Sequence, residues 1–238
     1  MIETFKHLDL FIEEQMAAAG TPGMAVALTD GLALLHLATH GLAACTSAAS
    51  AGDVAAGRPV EPGSLFEIGS ISKAFTAIVL LQLQEAGLVD LHSPVQRYLP
   101  WFRVPSTPSL AGDTPITLHH LLTHTAGIVR GTDFSTDGRY EVWSLRETEA
   151  CTPPGTFYHY SNVGYKALGL VLEEVLGRSY GEIVAERIFR RLGMEASEAI
   201  ITHDIRLRLA VGYEPLYDDR PFHRGLPLAP ALWLESGT

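Results

Sequence analysis

Ser70-Ile71-Ser72-Lys73 sets a hydroxyl and an amine three residues apart, and on a helix such residues face each other. A serine hydroxyl is a weak nucleophile until a base takes its proton, and a lysine one turn on can help. With only three lysines (Lys6, Lys73, Lys166) and 14 serines, an S-x-x-K arises by chance about 0.2 times, so the tetrapeptide needs a second witness. Tyr160-Ser161-Asn162 is that witness. Asn162 is the chain's sole asparagine and stands two residues after one of eight tyrosines, a coincidence of roughly 0.03. A phenol serves as general acid or base where cations lower its pKa from about 10. An asparagine amide donates one hydrogen bond and accepts another, which suits holding an amide or ester. Ser70, Lys73, Tyr160 and Asn162 thus make a nucleophile, a proton relay and a substrate clamp.

Longer stretches carry the same message. Pro59 to Ala77 (PVEPGSLFEIGSISKAFTA), Gly87 to Pro100 (GLVDLHSPVQRYLP), Ile116 to Ile128 (ITLHHLLTHTAGI), Pro154 to Gly177 (PGTFYHYSNVGYKALGLVLEEVLG) and Ile188 to Met194 (IFRRLGM) cover most of residues 59–195. Together they resemble the serine β-lactamase-related family, which includes class C β-lactamases, DD-peptidases and esterases of the same fold. The resemblance implies a mixed α/β fold, with an antiparallel sheet flanked by helices and an inserted all-helical domain, and a groove at their junction. It makes Ser70 the acylated nucleophile, Lys73 and Tyr160 the groups that move protons, and Asn162 a substrate-binding residue. The expected reaction is ester or amide hydrolysis through an acyl-enzyme, as in an esterase, β-lactamase or D-peptidase, with no metal or organic cofactor.

Family members also carry Lys-Thr-Gly or His-x-Gly on a sheet strand that completes the oxyanion hole. The only candidate here is His223-Arg224-Gly225, in a stretch with Pro221, Pro227 and Pro230 that reads as loop. The carboxy-terminal part of the sheet domain is therefore expected to be absent. The expected organisation is residues 1–62 as the amino-terminal part of the sheet domain, 63–195 as the helical domain, and 196–238 as a truncated return. A non-catalytic binding protein or inactive fragment is the main rival reading, and self-association through an incomplete sheet is a further expectation.

Bulk properties narrow the classes. A length of 238 residues allows one large domain or two small ones, and 47% hydrophobic with 18% charged residues is ordinary for a globular protein. The formal charge of −10 offers no basic surface for phosphate backbones, so small-molecule esters, amides or β-lactams are expected as partners rather than nucleic acid. No stretch approaches the ~18 apolar residues of a membrane span. Glu3, Asp9, Glu13 and Glu14 fill the amino terminus in place of a basic region and apolar run. A cytoplasmic protein that meets no membrane is the expectation. Cys45 and Cys151 are expected to be free thiols.

The motifs need elements to hold them. Ile2–Ala19 reads as an amphipathic helix, and Met24–Thr29 and Leu32–Thr39 as strands joined at Asp30-Gly31. Ala43–Gly57, rich in Ala, Gly and Ser, reads as a loop. Ile71–Ala86 is apolar nearly all round and predicts a helix buried at the centre, with Ser70 at its amino end. Further helices are expected at Leu118–Leu122, Ser144–Glu149, Asn162–Leu176 and Tyr180–Arg191.

Plainer roles compete. Ser70 could cap a helix beside a surface lysine, Tyr160 could be a core aromatic, and Asn162 an N-cap. His120 and His124, four apart, could hold zinc from one helix face in a metal-dependent hydrolase. His36 and His40 are expected to be exposed, and His159 lines the groove or packs beside Tyr160.

Overall fold

A computed structural model describes residues 2–45, 57–106, 114–128, 137–206 and 208–212. The chain clusters into two compact units, residues 2–67 with 202–212 and residues 68–201.

The first unit opens with α1, Ile2–Ala19, followed by β1, Gly23–Thr29, β2, Leu34–Cys45, and β3, Gly57–Pro59, in an antiparallel sheet of order β1-β2-β3. Two details differ from the sequence expectation. The hairpin turn is longer than Asp30-Gly31, because Asp30 Oδ1 accepts the N–H groups of both Leu32 and Ala33 and diverts them from the ladder. Those bonds also hold the Asp30 carboxyl below its ordinary value. At its other end β2 runs past Thr39 into the segment expected to be loop. Gly41 makes this possible. It sits at φ +67°, and a Cβ there would lie 2.2 Å from the Pro22 carbonyl oxygen, so only glycine lets the strand kink and continue. The second half of β2 then pairs with β3, Leu42 opposite Pro59 and Cys45 opposite Gly57.

α1 is tied to β2 by polar contacts as well as packing. His36 Nε2 lies 2.8 Å from Asp9 Oδ1, His40 Nδ1 lies 3.4 Å from Glu13 Oε1, and the Phe5 ring stacks on His36 at 4.7 Å. The two histidines expected to be exposed are instead half-buried under this helix.

The second unit is helical: α2, Ser72–Glu85, α3, Leu118–Leu122, α4, Gly138–Ser144, α5, Asn162–Leu176, and α6, Tyr180–Val184, which runs through one π turn (Ala185–Phe189) into α7, Arg190–Leu192. A short α8, His203–Arg206, belongs to the first unit. α4 lies earlier than the expected Ser144–Glu149. Asp137 caps it by accepting the N–H groups of Arg139 and Tyr140, and the following Leu145–Glu147 forms only a 3₁₀ turn.

The centre of this unit is α5, in which every residue from Val163 to Leu172 is buried. α2 was expected there, but it buries one face (Thr76, Val79, Leu80 and Leu83) and leaves Ile78 and Leu81 exposed. Each buried Val or Leu stabilises by about 1.5–3 kcal/mol. Thr76 and Tyr180 share a hydrogen bond of 2.9 Å that joins α2 to α6.

α5 also carries a buried ion pair. Lys166 Nζ donates to Glu141 Oε2 of α4 at 2.6 Å, with the residues 7% and 5% exposed. Glu141→Ala is expected to cost about 3–5 kcal/mol in urea denaturation, because it strands a buried ammonium. Glu141→Leu combined with Lys166→Met should recover most of that loss. A single-variant cost below about 1 kcal/mol would show the pair to be worth no more than a surface one.

Candidate active site

α2 begins one turn after Gly69, whose φ of +52° directs the chain into a 3₁₀ turn, Gly69–Ile71. Ser70 lies in that turn, exposed, just before the helix rather than within it. Lys73 is in the first turn of α2 and is 6% exposed, so its amine approaches Ser70 from the protein side. Lys73 Nζ donates to Ser70 Oγ at 3.0 Å.

Tyr160 comes from the connection that leads into α5. Its hydroxyl donates to the same Ser70 Oγ at 2.5 Å, across 90 residues of sequence. Its ring centroid lies 4.9 Å from Lys73 Nζ, and the Tyr165 ring lies 5.7 Å from that nitrogen. A buried ammonium thus meets two aromatic faces and one serine oxygen, so negative charge gained by Ser70 or Tyr160 would form beside a fixed cation. Neither plain role fits: Lys73 is not a surface lysine, and Tyr160, 43% exposed, is not a core aromatic.

Asn162 opens α5, two residues beyond Tyr160, and is half-buried. The N-cap is not Asn162 but Ser161, whose Oγ accepts the Gly164 N–H at 3.2 Å. Ser70, Lys73 and Tyr160 are therefore brought into direct contact, and Asn162 is placed on the next helical residue after the cap. His223-Arg224-Gly225 lies outside the described residues.

The paired histidines do other things. α3 ends at Leu122, so His120 and His124 do not share a helix face. His120 Nδ1 accepts the Thr117 N–H, and Thr117 Oγ1 accepts the His120 N–H, a reciprocal cap on α3. Burial, then the neighbouring His119 and His92, push His120 below its ordinary pKa. Among the described residues no group of three or more His, Cys, Asp or Glu side chains is placed to hold a metal ion. Cys151 is a free thiol whose Sγ donates to the Gly127 carbonyl at 3.3 Å. The side chain of Cys45 lies outside the described residues.

His124 and Tyr165 are the neighbours that sequence reasoning missed. His124 sits in LLTHTAGI, where only its spacing from His120 drew notice, and its φ of 56° is not legible from composition. Tyr165 lies five residues after Tyr160, and its hydroxyl donates to the Leu122 carbonyl at 2.9 Å. The one available signal was its place on the first turn of the helix that Asn162 opens.

Residues 8–231 match the β-lactamase family. Penicillin-binding protein 4 of Amycolatopsis lactamdurans is 32% identical over 164 residues, 66% of this chain and 42% of that protein. Esterase EstB of Burkholderia gladioli is 32% identical over 182 residues, 68% of this chain and 45% of that protein. The octameric penicillin-binding protein homologue from Pyrococcus abyssi superposes with a TM-score of 0.74 at 25% identity, covering 98% of this chain and 51% of that one. The chain thus spans less than half the length of these two curated relatives. Among the described residues no helix is long and apolar enough to cross a membrane. With a family match over nearly its whole length, and Lys73 and Tyr160 meeting at the Ser70 oxygen, the chain belongs to the β-lactamase family.

Proposed function

We propose that this chain carries the acylation machinery of a serine hydrolase that cleaves ester or amide bonds. The observation that supports this most is the convergence of Lys73 Nζ and Tyr160 Oη on Ser70 Oγ. Two hydrogen-bond donors on one serine oxygen favour the developing alkoxide, and a phenol in contact with it can carry its proton.

Tyr160 first gives its phenolic proton to solvent, and the phenolate then takes the proton of Ser70 while Oγ bonds to the substrate carbonyl carbon. Tyr160 then gives that proton to the departing alcohol or amine, leaving the acyl group on Ser70. A water loses a proton to Tyr160 as it attacks the ester carbon, and the same proton returns to Ser70 when the acid leaves. Lys73 stabilises the negative charge as it alternates between the two oxygens, and Asn162 holds the acyl side of the substrate. The Ser70 N–H, in the 3₁₀ turn that leads into α2, is the backbone donor nearest the nucleophile and would serve an oxyanion. Each such donor is worth about 2.7–4 kcal/mol in a transition state.

Among the relatives, the name esterase EstB points to esters and the name penicillin-binding protein 4 to penicillin. An uncharged ester is the substrate we favour. Ile71 beside the nucleophile, and Phe157 and Tyr158 before Tyr160, present exposed apolar surface on the segments that carry the site.

Intact-mass measurement after treatment with a fluorophosphonate is expected to show one adduct on the full chain and none on Ser70→Ala. An adduct that persists in Ser70→Ala would end the assignment. A Ser70 adduct in a protein that never turns over p-nitrophenyl esters would favour the binding-protein reading.

A further inference from the structure

On the acyl-transfer reading above, we propose that His124 is a positioning residue: its main chain and neutral ring hold the segment around Tyr160 so that the phenol rests on Ser70. Its placement is unusual from the backbone up. His124 is the sole non-glycine residue with positive φ among those described, at 56°. A side chain in the left-handed region is sterically disfavoured and persists only where surrounding contacts over-determine it.

Those contacts bracket Tyr160. The N–H of His159, one residue before it, donates to the His124 carbonyl at 2.7 Å. The N–H of Ser161, one residue after it, donates to His124 Nδ1 at 3.1 Å. The imidazole also packs on the Tyr160 ring, with centroids 4.4 Å apart and planes at 33°. One residue therefore sets the main chain on both sides of Tyr160 and one face of its ring. The turn itself is anchored: the His124 N–H donates to the Leu121 carbonyl at 3.2 Å, and Tyr165 holds the Leu122 carbonyl.

The bond to Ser161 dictates protonation. Nδ1 accepts, so the neutral ring must carry its hydrogen on Nε2. A second proton would sit on Nδ1, pointing at the Ser161 N–H, and would place a cation beside Lys73. The groups that face the ring are Lys73 from α2, Tyr158 and Tyr160 from the preceding connection, and Tyr165 from α5: one cation and three phenols. Burial first, and then Lys73, hold His124 below its ordinary 6.5. The unfolded chain takes up this proton near 6.5 and the folded chain resists it. The associated stability is thus present above that value and is lost as pH falls through the lower folded value.

The full chain can test this through p-nitrophenyl ester turnover and fluorophosphonate labelling between about pH 5 and 8. The wild type should lose rate on the acid side with a midpoint below His124's ordinary value. His124→Asn tolerates left-handed backbone but lacks the ring, and His124→Gly removes the backbone constraint. Both should lower kcat by about 10- to 10²-fold, with KM little changed, and abolish or displace that acid limb. Ring ¹⁵N spectra of the wild type should show His124 neutral at pH near 7 with hydrogen on Nε2, which decides the matter even if both variants unfold. Unchanged kcat and acid limb in His124→Asn, or a His124 protonated or Nδ1–H at neutral pH, would overturn the role while Ser70 still labelled. Labelling that did not depend on Ser70 would instead overturn the acyl-transfer reading.

Discussion

Tyr160→Phe is expected to slow ester turnover by about 10²- to 10⁴-fold and leave the thermal midpoint almost unmoved. The substitution deletes one hydroxyl and keeps the ring. Packing against His124 at 4.4 Å and beside Lys73 therefore survives, while the 2.5 Å contact with Ser70 Oγ is lost. No group in that geometry then carries the serine proton to the leaving group. Deacylation needs the same oxygen, so neither half of the reaction is spared. Matched melting curves with a large fall in kcat would support the role. Parental turnover in Tyr160→Phe would move the proton relay to another group, with His159 the nearest in sequence.

Lys73→Arg is expected to be almost as damaging as Lys73→Ala, with turnover reduced on the order of 10²-fold or more in both. Charge is kept in the arginine variant, so the loss would come from how the cation is seated against Ser70 and Tyr160 rather than from its charge. The site does not suit a guanidinium. Lys73 is 6% exposed and reaches Ser70 Oγ at 3.0 Å between two tyrosine rings, a space fitted to a compact ammonium. Arginine is longer, planar and unable to give up a proton. Steady-state kinetics of the three proteins separates the cases. If Lys73→Arg keeps near-parental kcat while Lys73→Ala loses it, Lys73 supplies positive charge alone.

How much of this was legible beforehand depended on the range over which each feature is decided. Helix signals are local, and α5 agrees with the expected Asn162–Leu176 at both ends. Its bounds follow from Ser161 as N-cap and Gly177 in the left-handed conformation as C-cap, both readable from neighbouring residues. The Ser70–Lys73 contact is local too, since a spacing of three on one helical turn brings the groups together whatever surrounds them. The family was legible for another reason: several stretches each match, and together they span both motifs.

Pairing and burial belong to the tertiary structure. The segment from Ala43 on looked like loop because Ala, Gly and Ser have weak strand preference, yet it is strand up to Cys45. Its partner, Gly57–Pro59, is supplied from beyond the intervening residues. Composition marked α2 as the central helix, but an all-apolar surface does not say which side finds neighbours. α5 took the centre, and α2 kept an exposed face. Tyr160 shows the same division most sharply. Its type and its spacing from Asn162 named it as a candidate, but only the folded chain closes 90 residues to set its hydroxyl on Ser70. The sequence determined which functional groups were available and the short-range geometry that helix pitch imposes. Their convergence depended on a left-handed His124 and a buried α5, which arise from contacts between segments far apart in the chain.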